Sequence, residues 1–135
     1  LWQWSVTEIE RFWASFWRFC DVIGDGPGQT ILKDGHLMPG AVFFPEAKLN
    51  FTENMLRHAQ DPAWAERDAI VFWGEDQVKR RLSYADLHDR VSRLAQHLRG
   101  LGLRPGDRVA GFVPNAPEAV IGAFAAAAIG CIELR

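Results

Sequence analysis

The sequence predicts an α/β protein in which N-terminal helices precede a β-hairpin and a parallel βαβ unit that is incomplete at its final strand. Three observations carry this reading. Apolar residues recur at spacings of three and four near the N-terminus and again between Leu87 and Leu101, the period of a helix face. A β-branched and aromatic run, Ala69 to Trp73, stands just ahead of a Gly-containing turn, which is a hairpin signal. Finally, Arg108 to Val113, an Ala-rich segment and a second short apolar run follow one another in the order strand, helix, strand.

The opening LWQWSVTEIERFWASFWRFCDVIG places Ile9, Phe12, Trp13, Phe16, Trp17, Cys20 and Ile23 on one stripe and predicts a helix from Thr7 to Val22. Ser5 with Glu8, or Thr7 with Glu10, offers a capping box at its start, and Gly24 offers a stop. From Gly24 to Gly40 the run GDGPG, Asp34-Gly35 and Pro39-Gly40 punctuate the chain too often for a long element, so a loop is expected. GDGPG lacks the following Lys-Ser/Thr and the strand-to-helix context of a phosphate loop, and it is read as a connector.

Pro45 blocks a central strand, and Asn50 with Glu53 forms a cap-like pair ahead of a short helix from Phe51 to Ala59. Asp61-Pro62 marks a turn. Strand Ala69 to Trp73 then turns through Gly74-Glu75-Asp76 into Val78 to Leu82, an antiparallel pair. Ser83 and Asp86 open a helix whose apolar face is Leu87, Val91, Leu94, Leu98 and Leu101, with His88, Arg90, Arg93 and Arg99 on the solvated face. Gly100, Gly102 and Pro105 close it. Arg108 to Val113 reads as a buried strand, and Asn115 to Glu118 as the cap of a helix running from Pro117 to Ile129, with Pro117 tolerated in the first turn. Gly122 and the alanines of that helix suit a close approach to a sheet, and Cys131 to Leu134 returns as a parallel strand.

Composition narrows the function classes. With 48% hydrophobic and 24% charged residues the chain is of ordinary globular make-up. A net charge of -2, from 15 basic and 17 acidic residues that are dispersed, makes no case for nucleic acid or an anionic membrane as partner. Cys20 and Cys131 are far apart and lack metal-ligand spacing, which suits a reducing cytoplasm and two buried small side chains. The longest apolar stretch, Ala119 to Ile132, is too short to span a bilayer. The first residue is Leu1, and the chain stops inside an expected strand, as a piece of a longer protein would.

The motifs point to chemistry by resemblance. LSYADL at Leu82 to Leu87, LRPGD at Leu103 to Asp107 and the Ala-rich helix up to Gly130 resemble the first core motif and the approach to the second core motif of adenylate-forming enzymes. Phe43-Phe44 with PEAKLNFTENML, Pro45 to Leu56, is similar to the segment WFPGAKLNYAENLL of the acetoacetyl-CoA synthetase branch, where acetyl-CoA synthetases tend to have Gly-Gly before Leu-Asn. Pro114 to Val120 is similar to PNIPEAV of the same branch. The resemblance implies an ATP-dependent acid-thiol ligase that joins a carboxylate to AMP and then passes the acyl group to CoA, with ATP, Mg²⁺ and CoA as cofactors of the parent enzyme. It divides the chain into residues 1–68, a helical cap region, and residues 69–135, the start of the AMP-binding α/β domain. The rest of the parent chain and small molecules are then the partners. After Gly130 such synthetases continue Ala-Ile/Val-Trp-Ser-Ser, whereas this chain reads Cys131-Ile132-Glu133-Leu134-Arg135, and no site is carried onto those residues. Two other readings stay open: an acetyl- or propionyl-CoA synthetase fragment, and a non-catalytic module that binds a partner through its aromatic helix.

No catalytic residue is assigned, no metal ligand is assigned, and the cofactor-binding residues stay unknown, because the family's phosphate loop, adenine segment and catalytic lysine lie downstream of Arg135. His36, His58, His88 and His97 show no spacing suited to zinc. Asp86, Asp89 and Glu118 are read as helix-terminal or helix-surface carboxylates rather than acid/base groups. Trp13 and Trp17 are read as core. Asn115 is the position to watch, since it follows a strand carboxyl end, where ligands gather in open α/β sheets.

Overall fold

The computed structural model describes residues 1–75 and 77–134, so Asp76 of the expected hairpin turn and Arg135 lie outside the described residues. The chain forms two compact units, Leu1–Leu49 and Asn50–Arg135. The break falls well before residue 69, because Asn50 and Thr52 hydrogen-bond to the last helix and so belong to the second unit.

In the first unit the expected single helix is two, α1 (Trp2–Thr7) and α2 (Ile9–Phe19), broken at Glu8, whose φ of -126° and ψ of 56° are not helical. Neither capping box forms. The hydroxyls of Ser5 and Thr7 instead donate back to the carbonyls of Trp2 and Gln3, a local bond that is equally open to them inside a helix. The stop also comes before Gly24. Asp21 takes the left-handed position (φ 48°), its N–H donates to Arg18 O, and Val22 N–H donates to Trp17 O, the two bonds of a Schellman motif. Trp17 is buried and packs on Phe44 at 4.8 Å between ring centres, while Trp13 is half-buried and meets Phe43 edge-on at 5.3 Å. The expected loop carries one short ladder, β1 (Leu32–Lys33) antiparallel to β2 (Val42–Phe43).

The second unit holds the larger core. Asn50 caps α3 (Phe51–Leu56), accepting from Glu53 N–H at 3.2 Å, and a 3₁₀ turn, Arg57–Gln60, completes the expected helix. Strands β3 (Asp68–Trp73) and β4 (Lys79–Ser83) are antiparallel. Helix α4 (Tyr84–Gly100) begins with the expected Ser83/Asp86 capping box and ends in a Schellman motif at Gly102, with φ of 88°. Helix α5 (Pro117–Ala128) ends the same way: Gly130 is left-handed (φ 76°), Gly130 N–H donates to Ala127 O, and Cys131 N–H donates to Ala126 O. Strand β5 (Arg108–Ala110) then pairs parallel with β6 (Ile132–Leu134), the βαβ unit that the sequence predicts.

Three details depart from expectation. β5 stops at Ala110 and is not buried; Val109 is half-covered, and Phe112 and Val113 are exposed, because among the described residues this sheet has only two strands. A Cβ built on Gly122 would meet nothing within 4 Å, so this glycine serves no close approach. α5 instead packs on α3 and α4 through Ile121, Ala125, Ala126 and Ile129, against Leu56, Leu87, Val91 and Ala95, with Leu82 of β4 in the same cluster. Ala125 and Ala126 are fully buried, so the small side chains act between helices.

Candidate functional site

A cleft of about 580 Å³ lies between the β3 strand and the start of α5. Its walls are Ile70, Phe72 and Trp73 on one side and Pro114, Pro117 and Val120 on the other, with Asn115 and Glu75 supplying polar groups. Asn115 does not cap α5. Ala116 is the N-cap residue and makes no side-chain cap bond, and Pro117 at the first helical position has no N–H to satisfy. The Asn115 amide therefore stands exposed, with no hydrogen-bond partner among the described residues.

Arg80 braces the two walls. It sits directly across the ladder from Phe72, with its guanidinium 5.2 Å from that ring's centre, and reaches Glu118 in the first turn of α5 with two parallel bonds of 2.7 and 2.8 Å. The fork-on-fork pairing, together with Glu118's own backbone N–H, holds the Glu118 carboxyl down at about 2. A carboxylate that acidic stays ionised near neutral pH and has no proton to exchange. The sequence reading missed this pair, since nothing in the spacing of residues 80 and 118 signals that a hairpin and a helix will meet.

The other watched residues have structural duties. Asp86 closes the cap of α4, where Tyr84 and Ala85 N–H groups also donate to Arg67 and Ala65 carbonyls, so the helix start has no free donors left for an anion there. Asp89 pairs with Arg93 one turn on, at 3.0 Å. His58 stacks on Trp64 and meets the edge of Tyr84, His97 is exposed, and His88 is half-buried. In the GDGPG connector, Gln29 N–H donates to Glu46 Oε2 at 2.7 Å, so a protein carboxylate occupies a donor that a phosphate loop would offer to its ligand. That bond, with a second from Thr30, holds the Glu46 carboxyl below its ordinary range. Cys131 is buried with its thiol donating to Arg104 O at 3.3 Å, and Cys20 is only half-buried. Among the described residues no three His, Cys, Asp or Glu side chains are grouped to hold a metal ion. No helix among them is long and apolar enough to cross a membrane.

A β-hairpin, a capped helix and a parallel βαβ unit in this order can be compared with known proteins. The family of AMP-binding enzymes matches residues 57–134. The chain belongs to that family. The N-terminal region of acetyl-coenzyme A synthetases matches residues 1–55 of this AMP-binding family member. Among curated relatives, an acetoacetyl-coenzyme A synthetase of Rhizobium meliloti (strain 1021) is 46% identical over 130 residues, covering 96% of this chain and 19% of the relative. A malonamoyl-CoA synthetase of Penicillium aethiopicum is 32% identical over 133 residues, covering 96% of this chain and 18% of its own. The solved acetoacetyl-CoA synthetase from Streptomyces lividans aligns with a TM-score of 0.83 at 39% identity, over 98% of this chain and 20% of that one. This AMP-binding family member therefore spans about a fifth of the length of the relatives it matches.

Proposed function

We propose that this chain is the N-terminal portion of an acetoacetate-CoA ligase, which makes acetoacetyl-CoA, AMP and pyrophosphate from acetoacetate, ATP and CoA. The observation that carries the reading is the 46% identity to an acetoacetyl-CoA synthetase across 96% of this chain. Such a ligase must turn a poor acylating agent, the carboxylate, into a good one. Joining it to AMP does so, and the CoA thiol then displaces AMP.

The part of this chain in that reaction is scaffolding. The cap region gives way to the start of the parent's AMP-binding α/β domain between residues 49 and 57. The family implies Mg²⁺ as well, and the described residues offer it no ligand cluster. The parent acts in the cytoplasm, on small molecules rather than nucleic acid.

The test is acid-dependent exchange of pyrophosphate into ATP by the full-length parent, run with acetoacetate, acetate, propionate and malonamate. Acetoacetate should give the highest kcat/KM. A preference for acetate or propionate would move the protein to another branch, and exchange with none of the four would defeat the ligase reading. Residues 1–135 alone should form no acyl-adenylate.

A further inference from the structure

We propose that two adjoining hollows along α1 and α2 bind a free long-chain carboxylate, with its alkyl tail among aromatic rings and its head at Ser15 and Arg18. The inference goes beyond the ligase reading and does not depend on it, since binding within the first unit needs no catalysis. Across the break at Glu8, Trp4 of α1 meets Phe12 of α2 edge-on at 5.3 Å, and Phe12 stacks on Phe16 at 6.2 Å. These rings, with Trp2 and Phe19, line a groove of about 450 Å³ whose lining side chains are aromatic or aliphatic apart from Ser5 and Ser15. Its volume lies in the range of roughly 300 to 1,000 Å³ usual for small-molecule sites. Trp2 and Phe19 are exposed, so the groove is open to an apolar ligand.

Charge at one side of the groove selects the head group. A second hollow of about 500 Å³ shares Trp4 and Ser15 with the groove and is lined further by Glu8, Arg11, Ala14 and Arg18. Ser15 therefore stands where apolar lining gives way to polar. It is half-buried, and its hydroxyl has no hydrogen-bond partner among the described residues. Arg11 is paired with Glu8 at 2.7 Å, whereas Arg18 makes no ion pair among the described residues. The other acidic side chains of this segment, Glu10 and Asp21, do not line the hollow, which leaves it one positive charge in excess. A carboxylate answers that charge: the guanidinium fork can give it two parallel bonds, and the Ser15 hydroxyl a third. A neutral apolar molecule would leave Arg18 unanswered, and a phosphate monoester, carrying about -1.5 to -2, would exceed it.

The experiment titrates the full-length parent with decanoate, dodecanoate, dodecanol and dodecyl phosphate, each kept monomeric, and follows binding by calorimetry. ATP and acetoacetate are present at saturation, so that the acid site of the proposed ligase is already filled. Dodecanoate should bind about fifteenfold tighter than decanoate, the effect of two buried methylenes. Arg18→Gln should weaken dodecanoate about tenfold, as loss of a charge-assisted bond does, and leave dodecanol unchanged. Ser15→Trp, which plugs the junction of the two hollows, should weaken both. Arg18 is exposed, so Arg18→Gln decides the matter even where Ser15→Trp fails to fold. No binding by the wild-type parent overturns the proposal, because the groove is then covered by another part of the chain. Dodecanoate affinity unchanged in Arg18→Gln, or in a folded Ser15→Trp, also overturns it, as does tighter binding of dodecyl phosphate than of dodecanoate.

Discussion

The side-chain amide of Asn50 donates to the carbonyl of Ala127 at 3.0 Å, while its oxygen caps the helix that starts at the next residue. One side chain thus satisfies a free N–H at the start of α3 and gives a second donor to the Ala127 carbonyl, which already accepts from Gly130 N–H at the end of α5. Asn50→Ala should cost about 1 to 3 kcal/mol by losing both. Asn50→Asp keeps the cap but sets a carboxylate against helix-terminal carbonyls, so it too should destabilise. Urea unfolding of the two variants checks this, and an Asp variant as stable as wild type would remove the α5 half of the argument.

Thr52, the second residue of α3, is almost fully buried, with its hydroxyl donating to Phe124 O at 2.9 Å. Thr52→Ser should be mild because the donor survives. Thr52→Val keeps the shape and leaves a buried carbonyl without that donor, which should cost about 1 to 2 kcal/mol. Equal unfolding midpoints for the two would show that the methyl, and not the bond, matters.

The Arg80–Glu118 pair sets a pH dependence. The Glu118 carboxyl is depressed to about 2 from an ordinary 4.5, so its contribution is full above the ordinary value and fades as pH falls toward 2. Wild type should exceed Glu118→Gln in stability at pH 6, and the gap should close between pH 4.5 and about 2. Thermal midpoints of both proteins across that window measure it, and a gap of constant size would mean the carboxylate charge is not what stabilises.

Asp21 ends α2 in a left-handed conformation that costs a side chain and suits glycine. Asp21→Gly should therefore stabilise by about 0.5 to 1 kcal/mol. A loss of stability in chemical denaturation would show that the interactions of the aspartate are worth more than the strain.

Truncation along α2 should divide by burial. Trp17→Ala should cost about 3 to 5 kcal/mol, whereas Phe19, 86% exposed two residues further along the helix, should lose no more than about 0.5 kcal/mol on change to Ala. Trp13, half-buried, falls between them. If Phe19→Ala proved as costly as Trp17→Ala, that face of α2 would be covered in the folded protein.

What the sequence determined by itself is whatever local chemistry settles. The capping box of Ser83 and Asp86, the Asn50 cap, the helix stop near Gly102, the hairpin and the strand–helix–strand order were all legible, because each depends on residues a few positions apart. The motifs from Pro45 to Leu56 and from Leu82 to Gly130 also pointed to the family. Tertiary structure alone decided which faces meet. It put Ala125 and Ala126 rather than Gly122 at the helix contact, left Phe112 exposed where a buried strand was expected, and joined Arg80 to Glu118. It also broke the first helix at Glu8, where two hydroxyls satisfied themselves on nearby carbonyls. Asn115 shows the division most plainly. Its residue type suits a cap, and only the geometry of Ala116 and Pro117 withdraws that duty, leaving the amide free at the edge of a cleft that residues distant in sequence enclose.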